Sequence, residues 1–120
     1  MNTILVIEDE LANRKLLVAY LQRSGYTVDS VENANAALAY LGTNRPAMML
    51  LDIRLPGMNG LDFTRRVRNE PDLADIPIVA VTAKGNPGDE QSILDAGCDG
   101  YIMKPINFSL LQSYLQRYLS

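Results

Sequence analysis

Ala47-Met48-Met49-Leu50-Leu51 is an unbroken apolar run, and Asp52 follows it directly. A strand with one face in water alternates apolar and polar side chains, so a continuous run fits a strand covered on both faces. Strands of that kind belong to parallel sheets with helices packed on each side. An aspartate at the mouth of such a run is not explained by packing.

Comparable runs recur along the chain. Thr3–Ile7 is a further strand candidate, and Ile76–Val81 reads as another buried strand, with Pro77 tolerated at its start. Gly100–Met103 is a shorter one, and the more polar Thr27–Val31 suits a sheet edge. Helical patterns lie between them. Asp9–Ser24 places Leu16, Leu17, Tyr20 and Leu21 on one face, and Gly25 stops it. Asn33 caps a helix through Leu41 that ends at Gly42. Gly60–Asn69 is the third helix. The fourth opens at Asn86-Pro87, with Asp89 and Glu90 favourable near the positive helix end. It runs to about Ala96, anchored mainly by Ile93 and Leu94, and Gly97 stops it. Asn107–Leu119 is the last. The order is (βα)₅, an α/β fold with right-handed crossovers. Five strands suit the doubly wound flavodoxin-like order 2-1-3-4-5.

At 120 residues, with 48% apolar and 21% charged residues, one domain spanning 1–120 is expected. A net charge of −3 with no basic stripe argues against direct nucleic-acid binding. The chain has no histidine, which removes Ser-His-Asp and Cys-His catalysis and every His-containing zinc site. Cys98, the one cysteine, reads as a small packing residue. No run approaches a membrane span and no signal segment opens the chain, so a cytoplasmic location away from membranes is expected.

In a doubly wound sheet, ligands bind outside the carboxyl ends of the strands where strand order reverses. Glu8-Asp9 follow the first strand, Asp52 the third, Thr82 the fourth and Lys104-Pro105 the fifth. Each has an ordinary explanation alone: Asp9 as a helix cap, Asp52 as a turn residue, Thr82 as a cap, Lys104 as a solvated charge. Together they bring three carboxylates, a hydroxyl and an ammonium to one sheet edge. Clustered carboxylates repel one another unless a cation joins them, and hard oxygen ligands with room for waters suit Mg²⁺. A carboxylate nucleophile, a divalent ion, a lysine and a hydroxyl are what phosphoryl transfer to an aspartate needs.

The same residues resemble a family. Ile4-Leu5-Val6-Ile7-Glu8-Asp9-Glu10, Leu51-Asp52-Ile53-Arg54-Leu55-Pro56-Gly57-Met58-Asn59-Gly60, Val81-Thr82-Ala83 and Gly100-Tyr101-Ile102-Met103-Lys104-Pro105 are similar to the response-regulator receiver domain of two-component signalling, of the chemotaxis-regulator-like, single-domain kind. The resemblance runs over essentially the whole chain. It implies a switch that takes a phosphoryl group on Asp52 from a phosphohistidine of a sensor histidine kinase or histidine phosphotransfer protein, and signals to a downstream protein target. It implies Mg²⁺, with Mn²⁺ as a substitute, bound by Asp9, Asp52 and the Arg54 backbone carbonyl, with Glu8 acting through water. Lys104 would pair with phosphoryl oxygens, Thr82 would hydrogen-bond one of them, and Tyr101 would move inward as its aromatic partner. The Lys104-Pro105 bond would be cis. The response would be read at the fourth helix, fifth strand and fifth helix.

Two flanking positions that influence acyl-phosphate lifetime in the family are Arg54 and Lys84 here; both are basic, and slow self-dephosphorylation is the expectation. Leu111, Leu115 and Leu119 should face the sheet, while Leu110, Tyr114 and Tyr118 form a second stripe suited to a docking or homodimer surface. A haloacid-dehalogenase-like phosphatase is disfavoured because Arg54 stands where its acid/base aspartate belongs. A receiver-fold scaffold independent of phosphorylation is disfavoured because every acid and the lysine are present. No output domain follows the fifth helix, so the chain reads as a stand-alone regulator or as a receiver cut from a longer protein.

Overall fold

Five parallel strands pair in the order β2-β1-β3-β4-β5. A computed structural model describes residues 2–55, 57–83 and 89–119. The strands are β1 (Thr3–Ile7), β2 (Thr27–Val31), β3 (Met48–Asp52), β4 (Ile78–Thr82) and β5 (Gly100–Met103). The helices are α1 (Leu11–Arg23), α2 (Ala34–Leu41), α3 (Gly60–Arg68), α4 (Asp89–Ala96) and α5 (Phe108–Leu119). This is the doubly wound flavodoxin-like fold.

The all-apolar strands split into two faces by their period of two. Leu5, Ile7, Met49, Leu51, Ile78 and Ala80 pack with α2, α3 and α4 through Ala37, Phe63, Val67 and Ile93. Ile4, Val6, Met48, Leu50, Val79, Val81 and Ile102 pack with Leu17 and Leu21 of α1 and Leu111 and Leu115 of α5. Residues of β3 and β4 are buried throughout, whereas β2 has only exposed and half-buried positions, as an edge strand does.

Several expected boundaries move. Helix α1 begins at Leu11 rather than Asp9, and its cap position is Glu10. Strand β3 runs to Asp52 itself, and β4 starts after Pro77, whose carbonyl accepts the Met49 amide. Leu16 is half exposed rather than part of the core stripe, because Leu17 and Leu21 occupy the face turned to the sheet. Likewise α4 is anchored by Ile93 and Ala96, while Leu94 is 44% exposed. The Asn86-Pro87 cap lies outside the described residues. Asn33 and Asn59 cap α2 and α3 by accepting the Ala36 and Asp62 amides.

Gly60 opens α3 where the chain folds back on β3. A Cβ there would lie 2.7 Å from Ile53 Cα and 2.9 Å from the Asp52 carbonyl oxygen, both backbone atoms. Gly60→Ala is therefore expected to cost about 2 kcal/mol, in the range for overpacked cores. It should also disturb the connection that carries Asp52. Urea unfolding checks this; a loss within the noise of a surface substitution would show that the turn relaxes freely.

Candidate functional site

The site lies at the carboxyl ends of β1, β3 and β5. Parallel pairing sets Ile7 beside Leu51 and Asp52 beside Val81, so the residues that leave β1 and β3 emerge together. The alternation that buries Ile4, Val6, Met48, Leu50 and Ile102 under α1 and α5 also sends Glu8, Asp52 and Lys104 to that side. By the same parity Thr82 and Tyr101 belong to the face that α4 covers.

Glu8 and Asp52 are 1% and 6% exposed, which is unusual for carboxylates and costly without partners. Lys104 supplies one. Its Nζ donates to Glu8 Oε1 at 2.9 Å and to Asp52 Oδ2 at 3.3 Å. The second Glu8 oxygen accepts the Glu10 amide at 3.2 Å, and Asp52 Oδ1 accepts the Arg54 amide at 2.9 Å. Asp9 is exposed and does not cap α1, whose cap position is Glu10. One carboxylate oxygen from each of Glu8, Asp9 and Asp52 lies within 4.8 Å of the others. Three hard oxygen donors at that spacing fit a divalent cation such as Mg²⁺.

The charges shape one another. Burial is the main force holding the Glu8 carboxyl above the usual range; Asp52 adds to it and Lys104 opposes it. Burial would by itself lower the Lys104 ammonium, but the hydrogen bond it donates to Glu8 and the charges of Asp52 and Glu8 outweigh it and raise it. The cleft thus keeps a cation on Lys104 beside two acids that share its charge.

The remaining expected residues are spread around this centre. Thr82 is buried, and its hydroxyl donates to the Ala83 carbonyl at 3.1 Å. Tyr101 is half-buried, and its hydroxyl is pushed up chiefly by a hydrogen bond to Glu90 in the first turn of α4. The Lys104–Pro105 peptide is cis. The side chain of Arg54 is exposed. Lys84 lies outside the described residues. On α5, Leu110 is 39% exposed, but Tyr114 packs back onto β5: its ring fills the space a side chain at Gly100 would take. Its hydroxyl meets both the amide and the carbonyl of Tyr101. Tyr118 is half-buried. Cys98 is buried against Thr64, and burial pushes its thiol up.

Two arginines of structural weight carry no sequence signal. Arg14 reaches the Glu8 carbonyl, and Arg68 gathers three backbone carbonyls and Asp99. Both stand on helices at positions that a pattern of polarity assigns to solvent.

The model of the response regulator receiver domain matches residues 4–116. The polar-differentiation response regulator DivK of Brucella anthropi is 35% identical over 117 residues, 98% of this chain and 95% of that one. Solved structures agree. The signal receiver domain of a histidine kinase from Syntrophus aciditrophicus is 31% identical, with a TM-score of 0.92 over 99% of this chain and 90% of that one. The receiver domain of a sensor histidine kinase from Pseudomonas aeruginosa, solved with a magnesium ion in its active-site cleft, is 34% identical, with a TM-score of 0.89 over 98% and 96%. Fold, acidic cleft and relatives converge: the chain belongs to the response-regulator receiver family of two-component signalling.

Proposed function

We propose that this chain is a phosphorylation switch in which Asp52 accepts a phosphoryl group from a phosphohistidine of a partner kinase or phosphotransfer protein. The observation that carries this reading is the Lys104 ammonium lying 2.9 Å from Glu8 and 3.3 Å from the Asp52 carboxylate. A buried carboxylate with a fixed cation at its side is oriented as a nucleophile and provided with charge to receive an anionic product.

An Asp52 oxygen attacks phosphorus in line, the bond from phosphorus to the donor imidazole nitrogen breaks, and the imidazole leaves with that electron pair and is protonated from water. The chain has no histidine, so it cannot supply that phosphohistidine itself. Lys104 moves from neutralising Asp52 to pairing with a phosphoryl oxygen. Glu8, Asp9 and Asp52, with the Arg54 backbone carbonyl, would hold Mg²⁺, and Mn²⁺ has the same ligand preferences. When bound, the ion offsets negative charge on the transferred group. The magnesium in the Pseudomonas relative's cleft supports this assignment.

Thr82 leaves the Ala83 carbonyl to hydrogen-bond the phosphoryl group, and Tyr101, on the same face, follows. The α4–β5–α5 surface, including Leu110, Tyr114 and Tyr118, then changes its affinity for a downstream protein. Arg54 and Lys84, two positions after Asp52 and Thr82 in the sequence, slow hydrolysis of the acyl phosphate. The test is intact-protein mass after treatment with acetyl phosphate, with and without Mg²⁺, followed by borohydride reduction and peptide mapping. A metal-dependent adduct at Asp52 is the expected result. No adduct on folded protein, or an adduct elsewhere, would favour a scaffold that works without phosphorylation.

A further inference from the structure

The turn from Glu8 to Glu10 carries two of the three clustered acids, yet the cap position of α1 makes no side-chain hydrogen bond to the helix. Arg14, one turn into α1, reaches back instead. Its Nη1 donates to the Glu8 carbonyl oxygen at 3.0 Å, and its Nη2 lies 3.4 Å from Glu32 Oε1. Arg14 is well covered, with 14% of its side chain exposed against 71% for Glu32. The Glu8 amide donates to the Val31 carbonyl at the end of β2, and Glu32 is the next residue along. Arg14 therefore ties the acid-bearing turn to Glu32 at the end of the neighbouring strand β2.

Resting on the reading of this cleft as a divalent-cation site, we propose that Arg14 is a positioning residue for it. The guanidinium holds the backbone of the Glu8–Asp9 turn where these two carboxylates converge with Asp52. Two physical effects of Arg14 on a bound cation have opposite signs. As a positive charge near three acids it repels an incoming cation and weakens binding. As a brace it orders the ligands beforehand, so less ordering remains to be done when the ion arrives. Its fork of donors grips a carbonyl and a carboxylate at once, which a lysine ammonium on a flexible stem does less well.

The experiment is isothermal titration of the full chain with MgCl₂, alongside urea unfolding of the same samples. Arg14→Met, which keeps bulk but has neither charge nor donors, is expected to bind Mg²⁺ about tenfold more weakly, as losses of supporting partners around metal sites do. Arg14→Lys, which keeps the repelling charge but loses the fork of donors, should also bind Mg²⁺ more weakly than wild type. A purely structural role would lower unfolding free energy and leave the affinity of the folded protein alone. Affinity in folded Arg14→Met equal to or above that of wild type overturns the inference while leaving the cation site intact. Should Arg14→Met fail to fold, Arg14→Lys decides: weaker binding supports the brace, and unchanged binding overturns it. If wild type itself takes up no Mg²⁺, the inference and the cation reading fall together.

Discussion

Lys104→Met should slow phosphorylation of Asp52 by acetyl phosphate about a hundredfold or more, the scale seen when a donor aimed at a developing oxyanion is removed. The ammonium is the fixed positive group at the cleft, bonded to Glu8 and Asp52 from the end of β5. Methionine matches its length without the charge, so the loss isolates electrostatics from packing. Time courses of adduct formation by intact mass give the rate; a decrease of less than about tenfold would remove Lys104 from the transfer step.

The same substitution should change how stability depends on pH. The Glu8 carboxyl is raised in the folded protein, mainly by burial and then by Asp52, while Lys104 pulls it down. A carboxyl raised on folding binds its proton more tightly in the native state. Stability from that group is fully present below the ordinary glutamate range and is lost as pH rises through the folded value. Taking away Lys104 raises Glu8 further and enlarges that loss. The lysine's own contribution is present below the ordinary lysine range and disappears only as pH rises through its higher folded value. The lysine's part is the same at about pH 4.5 and about pH 8, so the Glu8 effect alone makes Lys104→Met more damaging at the higher value than at the lower. Urea unfolding at the two values reads the difference, and an equal loss at both would mean that Lys104 does not neutralise Glu8.

Arg68→Ala should destabilise the fold by about 3 kcal/mol, because it strips partners from several covered acceptors at once. Nε of Arg68 donates to the Gly97 carbonyl, and Nη1 to the carbonyls of Ala74 and Ile76, each at 2.8 Å. Nη2 pairs with Asp99 Oδ2 at 2.9 Å, and that oxygen also accepts the Ile78 amide at 2.8 Å. One side chain thereby joins the end of α3, the loop before β4, the first residue of β4 and the turn between α4 and β5. With 20% of the side chain exposed, these bonds are not those of an ordinary surface ion pair, which contributes little.

Gly97 makes room for this arrangement. Its φ is +115°, and a Cβ there would lie 2.7 Å from Arg68 Cγ. Arg68→Lys should recover less than half of the loss, since a lysine ammonium cannot reproduce the planar fork over four acceptors. Urea unfolding measures both variants; a loss below about 1 kcal/mol for Arg68→Ala would show that water replaces these bonds at no cost.

Strand count, order and the edge position of β2 were legible in the chain itself. Runs of apolar, β-branched residues cannot be satisfied by one buried face, and the helical segments between them force parallel pairing. The order 2-1-3-4-5 is the common doubly wound arrangement for five such strands, and the sheet adopts it. Glu8, Asp9, Asp52, Thr82 and Lys104 were legible for the same reason: each stands at the end of a strand, and parallel strands end on one edge. The ends of elements were less so. Hydrogen bonding, which polarity patterns do not record, moved α1 to Leu11 and β4 to Ile78.

What the chain alone determined is therefore which residues leave the sheet at the same edge. Only the tertiary structure decided which of them meet. The unbroken apolar strands hide the alternation that sends Glu8, Asp52 and Lys104 to the α1–α5 side and leaves Thr82 on the α4 side. The reach of a flexible side chain is not written in local sequence either. Arg14 and Arg68 find their partners across 6 and 31 positions of chain, because packing brings carbonyls into range that no spacing rule connects.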